Sequence, residues 1–107
     1  MRASASVSMT ALSDPTRQRI VAMLAASGAL SSGEIANQFH LSPPAVSQHL
    51  KTLREAKLVR VRADRQRRIY DLNPEGVTEL LQWVAQIKAF WNPKLDALEE
   101  ALKNDKG

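Results

Sequence analysis

Along this chain the apolar positions recur at helical spacing, then alternate, then return to helical spacing, and each change of period marks an element. Thr10 to Ser13 is a short apolar turn with helical character. Asp14-Pro15 reads as an N-cap followed by proline at the first helical position, where its missing N–H costs nothing. Ile20, Met23 and Leu24 make the apolar stripe of that helix, and Gly28 ends it. Ser31 and Glu34 have capping-box spacing, and the short helix they open has Ile35, Ala36 and Phe39 on its inner face. His40-Leu41 is a turn. Ser42 caps the next helix, with Pro43 and Pro44 in its first turn and Val46, Leu50 and Leu53 as its buried stripe.

The period then drops to two. Leu58 to Arg62 and Arg68 to Leu72 alternate, with Ala63 to Arg67 as the loop of a two-stranded ribbon. Asn73-Pro74-Glu75 opens a last helical region, in which Val77, Leu80, Leu81, Val84, Ile87 and Trp91 recur at 3.6 spacing. Trp83 and Phe90 lie off that stripe, so more than one face is apolar. Asn92-Pro93 can cap and restart a helix, in which Leu95, Leu98 and Leu102 form a narrower seam, and the sequence leaves continuity across Pro93 open. The expected architecture is mainly α with a two-stranded β wing, and two short helices joined by a tight turn form a helix-turn-helix. The expected organisation is a flexible N-terminus (1–8), a winged domain with its last long helix (9–91), and a C-terminal helix and tail (92–107).

Charge sharpens this picture. Ser42 to Arg68 carries eight of the fifteen basic residues and two of the eleven acidic ones, so it is +6 while the remainder is −2. One helix and one hairpin thus carry the footprint of a polyanion, the obvious one being double-stranded DNA. A membrane surface fits less well, because the charge lies mostly on a hairpin rather than along an amphipathic helix. With no cysteine, disulfides and thiolate metal sites are excluded. No stretch looks like a signal peptide or reaches bilayer length, and a cytoplasmic protein is expected. At 107 residues the chain has a limited core, and some of its 44% apolar residues are expected to be covered by a second copy.

With Val46, Leu50 and Leu53 inward, the helix begun at Ser42 presents Pro44, Gln48, Lys51, Thr52 and Glu55 outward, flanked by Ser47 and His49. Gln48 can pair bidentately with adenine. Ser47 and Thr52 can bond a base or a phosphate, whereas Lys51 and Arg54 suit phosphates. In the ribbon, Arg65 and Arg67 lie nearest the tip, placed for a minor groove, and Arg60, Arg62 and Arg68 sit further back. The plainer readings are a solvated helix face and an edge protected by charge. Five arginines in nine residues exceed what edge protection needs. Ser47 and His49 point about 160° apart on a helix, so they form no catalytic pair, and no enzyme motif is present.

The run from Ser42 to Val59, with Asp14-Pro15-Thr16-Arg17 and Arg68-Ile69-Tyr70-Asp71-Leu72, resembles the ArsR/SmtB family of bacterial repressors. The resemblance implies a winged helix-turn-helix homodimer that binds an inverted-repeat operator, with Ser47, Gln48 and His49 approaching DNA. The subunit interface is expected to draw on Leu12, Val77, Leu80, Trp83, Val84, Ile87, Phe90, Trp91, Leu95 and Leu98, although Trp83, Phe90 and Trp91 could equally fill the subunit's own core. Many relatives respond to metal. The matching positions here are Ser31 and Gly33, or Pro74, Gly76, Ile87 and Phe90, which are poor ligands. Phe90-Trp91 and Lys94 to Glu99 resemble a metal-free branch, so no cofactor is expected and any effector is unknown. The alternatives are a metal- or ligand-responsive sensor and a protein-interaction module with a vestigial DNA face. One departure is Lys57, where the family usually has a glycine in left-handed conformation.

Overall fold

Each helix of the computed structural model, which describes residues 3–105, begins or ends on a local signal. Helix α1 spans Ala3–Ala11 and α2 spans Pro15–Ser27, with the Asp14 carboxylate accepting from the Arg17 N–H. A two-residue strand β1, Leu30–Ser31, leads into α3, Ser32–Phe39, whose Ser31–Glu34 capping box is complete. The left-handed His40 (φ 54°) makes the turn into α4, Pro43–Glu55. Strands β2, Val59–Asp64, and β3, Arg67–Leu72, form the ribbon, and α5 runs from Pro74 to Asp105.

The core lies where α2, α3, α4 and the base of the ribbon meet. Ile20, Leu24, Ile35, Val46, Leu50, Leu53, Leu58 and Val59 are fully buried there. Burying a side chain of this kind contributes about 1.5–3 kcal/mol, and this cluster fixes α4 against α2 and α3.

Three expectations need correction. The ribbon is part of a three-stranded antiparallel sheet, order β1-β3-β2, in which Leu30 pairs with Tyr70 and Ser31 with Ile69. Two residues have too little length to show an alternating pattern, which hides β1 in the sequence. The loop is tighter than Ala63 to Arg67: pairing continues to Asp64 opposite Arg67, leaving Arg65 and Gln66 as the turn. The N-terminal segment is not frayed over its described residues. Ala5 and Ser8 are buried, and the Ser8 hydroxyl donates to the Ala56 carbonyl at 3.4 Å. Small residues let α1 approach the end of α4 closely, whereas composition alone suggested a tail. Met1, Arg2, Lys106 and Gly107 lie outside the described residues.

At Pro93, where the sequence left continuity open, no helix ends or restarts; α5 is continuous through it. Proline removes one helical donor, and the carbonyl four residues back belongs to exposed Ala89, where water can satisfy it.

The end of α4 sets the angle between that helix and the ribbon. Lys57 N–H bonds the Arg54 carbonyl at 2.9 Å and Leu58 N–H bonds the Leu53 carbonyl at 3.0 Å, which is a Schellman turn. Lys57 takes φ 60°, the left-handed geometry expected there. The first turn of α5 presses on this corner. A β-carbon on Gly76 would stand 1.8 Å from the Lys57 carbonyl oxygen, so only glycine fits.

Candidate nucleic-acid interface

Helix α4 buries Val46, Leu50 and Leu53, and the same rotation leaves Pro44, Ser47, Gln48, Lys51 and Arg54 exposed. Ser42 is exposed too, but its hydroxyl oxygen is used as the cap, accepting from the Ala45 N–H at 3.3 Å. Thr52 departs from expectation. It is half-buried on the α1 side, beside Ser6, Val7 and Thr10, and its hydroxyl donates back to the Gln48 carbonyl at 3.2 Å. This back-bond occupies its donor.

His49 is also drawn away from the outer face. Its Nδ1 lies 3.4 Å from Arg17 Nη1 and 3.9 Å from the Asp14 carboxylate. Arg17 in turn donates from Nε to the Ala11 carbonyl at 2.6 Å. His49 therefore joins the middle of α4 to the start of α2 and the end of α1. The Asp14 carboxyl is held below the ordinary carboxylate range, first by the N–H of Arg17 and then by the neighbouring Arg17 and His49 charges. Sequence reasoning gave Asp14 a capping role and missed its reach to the recognition helix, because the contact joins residues 35 apart.

The five ribbon arginines divide by strand register. Arg60, Arg62 and Arg67 stand on one face with Asp71, Ile69 and Asp64 opposite them. Arg68 stands on the other face with Tyr70 and borders the N-terminal end of α4 beside Pro43 and Ser47. Arg60 pairs with Asp71 at 3.5 Å, and Arg67 pairs with Glu34 of α3 at 2.9 Å. This exposed pair ties the ribbon to α3, a contact the sequence did not reveal. The Glu34 carboxyl is lowered, chiefly by the Ser31 N–H and hydroxyl and further by Arg67. Among the described residues Arg62, Arg65 and Arg68 have no carboxylate partner. Arg65, at the turn, holds φ 60°.

The residues expected at a subunit interface separate into two groups. Leu12, Val77 and Leu80 pack against this chain's own core, and Trp83 is half-buried. Val84, Ile87, Phe90, Trp91 and Leu98 are exposed, with Phe90 the most open at 74%. The Leu95 side chain lies outside what the structure describes. Val7, Met9, Leu81 and Leu102 extend the exposed apolar surface. Val7 and Met9 went unnoticed because α1 was read as a tail.

The region Leu12 to Arg62, which spans α2, α3, α4 and the first half of β2, matches the family model for a helix-turn-helix domain. The chain is 40% identical over 95 residues to the HTH-type transcriptional regulator Rv2034 of Mycobacterium tuberculosis, covering 89% of this chain and 85% of that one. It is 37% identical over 95 residues to the arsenic resistance transcriptional regulator ArsR1 of Pseudomonas putida, covering 88% and 68%. This chain belongs to the ArsR/SmtB family of transcriptional regulators. The fold agrees: an ArsR-like transcriptional regulator from Rhodococcus sp. RHA1 superposes with a TM-score of 0.74 at 24% identity, covering 92% of each chain. As an ArsR-family regulator the protein has a DNA-binding helix-turn-helix and is not an enzyme. The helix-turn-helix match covers α4, whose outer face carries Gln48 and Lys51.

The ArsR-family metal positions named above do not suit a transition metal in this chain. The Ser31 hydroxyl is spent as the α3 cap, and Gly76 has no room for a side chain. Among the described residues no three His, Cys, Asp or Glu side chains come together. Among the described residues no helix is long and apolar enough to cross a membrane.

Proposed function

We propose that this protein is a homodimeric repressor that binds an inverted-repeat operator in the cytoplasm without a metal cofactor. One observation carries the reading: the exposed N-terminal half of α4, with Ser47 and Gln48, adjoins Arg68 of β3, on the same ribbon as the unpaired Arg62 and Arg65. Gln48 reads a base edge from the major groove, and Lys51 and Arg54 hold phosphates beside it. Arg65 reaches the flanking minor groove from the turn of the ribbon. His49 acts through Asp14 and Arg17, holding α4 at its docking angle.

The exposed apolar residues of α5 and α1 support pairing of two copies. The radius of gyration is 17.7 Å, against about 13 Å for a compact chain of this length. The excess comes from the length of α5, whose apolar residues beyond Leu80 are largely exposed, and an apolar surface of this extent marks an interaction site. A two-fold axis there would set the recognition helices about 34 Å apart, one turn of DNA. Occupancy of such a site blocks a promoter.

The test is a gel shift on the DNA upstream of its own gene at several salt concentrations. Affinity falls steeply with salt, and Arg65→Ala weakens binding to all sequences and flattens the slope by about one charge. Gln48→Ala relaxes preference at particular base pairs. Binding that ignores salt, or an unchanged preference in Gln48→Ala, contradicts the proposal.

A further inference from the structure

A cleft of about 300 Å³ opens between α3, the start of α4 and β3. Its apolar wall is Ala36, Val46 and the Tyr70 ring, and its polar groups are Ser32, Ser47 and Arg68. The Ser32 and Ser47 hydroxyls and the Arg68 guanidinium make no side-chain hydrogen bond or ion pair among the described residues. Tyr70 is only 4% exposed, yet its hydroxyl also lacks a protein partner. Among the described residues no buried polar side-chain atom is left unsatisfied, so the hydroxyl of this mostly buried ring is reached by solvent. Tyr70 lines the cleft, and a hydroxyl with no internal partner can exchange its water for a guest.

The chemistry of the lining specifies that guest. One guanidinium offers a two-pronged donor, and three hydroxyls add further donors around it. Ser32 and Gly33, in the first turn of α3, line the same cleft. The nearest carboxylate on α3, Glu34, is occupied by the Ser31 N–H and by Arg67, and does not line the cleft. The remaining wall is apolar. The volume lies at the lower end of ligand pockets, which suits a small guest. We propose that this cleft binds a small organic acid, its carboxylate on Arg68, Ser32 and Ser47 and its short apolar body against Val46, Ala36 and Tyr70. Because Ser47 and Arg68 also belong to the proposed DNA surface, the acid competes with the operator. That consequence rests on the function proposed above; binding of the acid does not.

The experiment uses the full-length protein labelled with ¹⁵N and free of DNA, with sodium benzoate as the probe. Benzoate should shift the amides of Ser32, Gly33 and Ser47 in a saturable way. Benzamide, which lacks the charge, and inorganic phosphate, which lacks the apolar body, should each bind at least about tenfold more weakly, a loss of one good interaction. Arg68→Gln should weaken benzoate at least tenfold, and Tyr70→Phe, which keeps the buried ring, should weaken it several-fold. Shifts that are absent, that lie elsewhere or that survive Arg68→Gln overturn the site. Phosphate binding as tightly as benzoate overturns it too, and identifies a seat for a bare oxyanion such as an operator phosphate. A separate titration onto bound operator DNA distinguishes the two failures. Loss of DNA binding altogether leaves the benzoate shifts intact, and loss of the shifts leaves DNA binding intact.

Discussion

His40, Lys57 and Arg65 each hold a left-handed backbone that glycine adopts with less strain. At Lys57 the side chain has no partner that offsets the strain. Lys57→Gly should stabilise the fold by about 1 kcal/mol, raising Tm by about 4–8 °C in a domain of this size. A lower Tm in a thermal melt contradicts the cap geometry. Gly76 gives the opposite case at the same corner. Gly76→Ala forces a methyl into the Lys57 carbonyl and should cost about 3 kcal/mol or more, read as a lower urea midpoint. Arg65 combines strain with exposure at the ribbon turn, the combination expected where function and not stability selects the residue. The sequence disclosed Lys57 through the family pattern. It did not disclose Gly76, whose constraint comes from a segment 19 residues away.

At the scale of elements, local signals told most of the story. Caps at Asp14, Ser31 and Ser42 and the stripe of Val46, Leu50 and Leu53 were legible because they act within one or two turns. What stayed hidden was contact between distant elements: β1 on β3, Arg67 on Glu34, and His49 on Asp14 and Arg17. Asn92-Pro93 left continuity open for a related reason. It is a valid start signal, but the helix on either side of it prevails. The Arg67–Glu34 brace joins ribbon to α3 and carries a pH consequence. Folding lowers the Asp14 and Glu34 carboxyls, so the unfolded chain takes up protons more readily. Their stabilising contribution is therefore present above the ordinary carboxylate range and disappears as pH falls through the lowered folded values. Melts from pH 7 downward should decline once that range is reached. Glu34→Gln keeps the capping box but not the ion pair, and should decline less steeply; an unchanged pH profile would show that the brace contributes nothing.

For the whole molecule, the division of labour follows from charge and apolar surface occupying different places. The basic residues gather on α4 and the ribbon, whereas Leu81, Val84, Ile87, Phe90 and Trp91 are left open along α5. In the proposed dimer, these exposed residues of the 32-residue α5 are covered by the second copy. Replacing Val84 and Phe90 by aspartate should yield monomers in analytical ultracentrifugation while the helical signal of the core persists; dimers of undiminished affinity contradict this interface. DNA affinity should fall with the dimer, because each half-site then binds alone.

The proposed function depends above all on α4 and the ribbon being presented twice, symmetrically, to one duplex. A hydroxyl-radical footprint of the purified protein on the DNA upstream of its gene tests this most directly. The expected result is two equivalent protected half-sites about one helical turn apart, with flanking protection lost in Arg65→Ala. A single unsymmetrical patch, or uniform protection without half-sites, would contradict it.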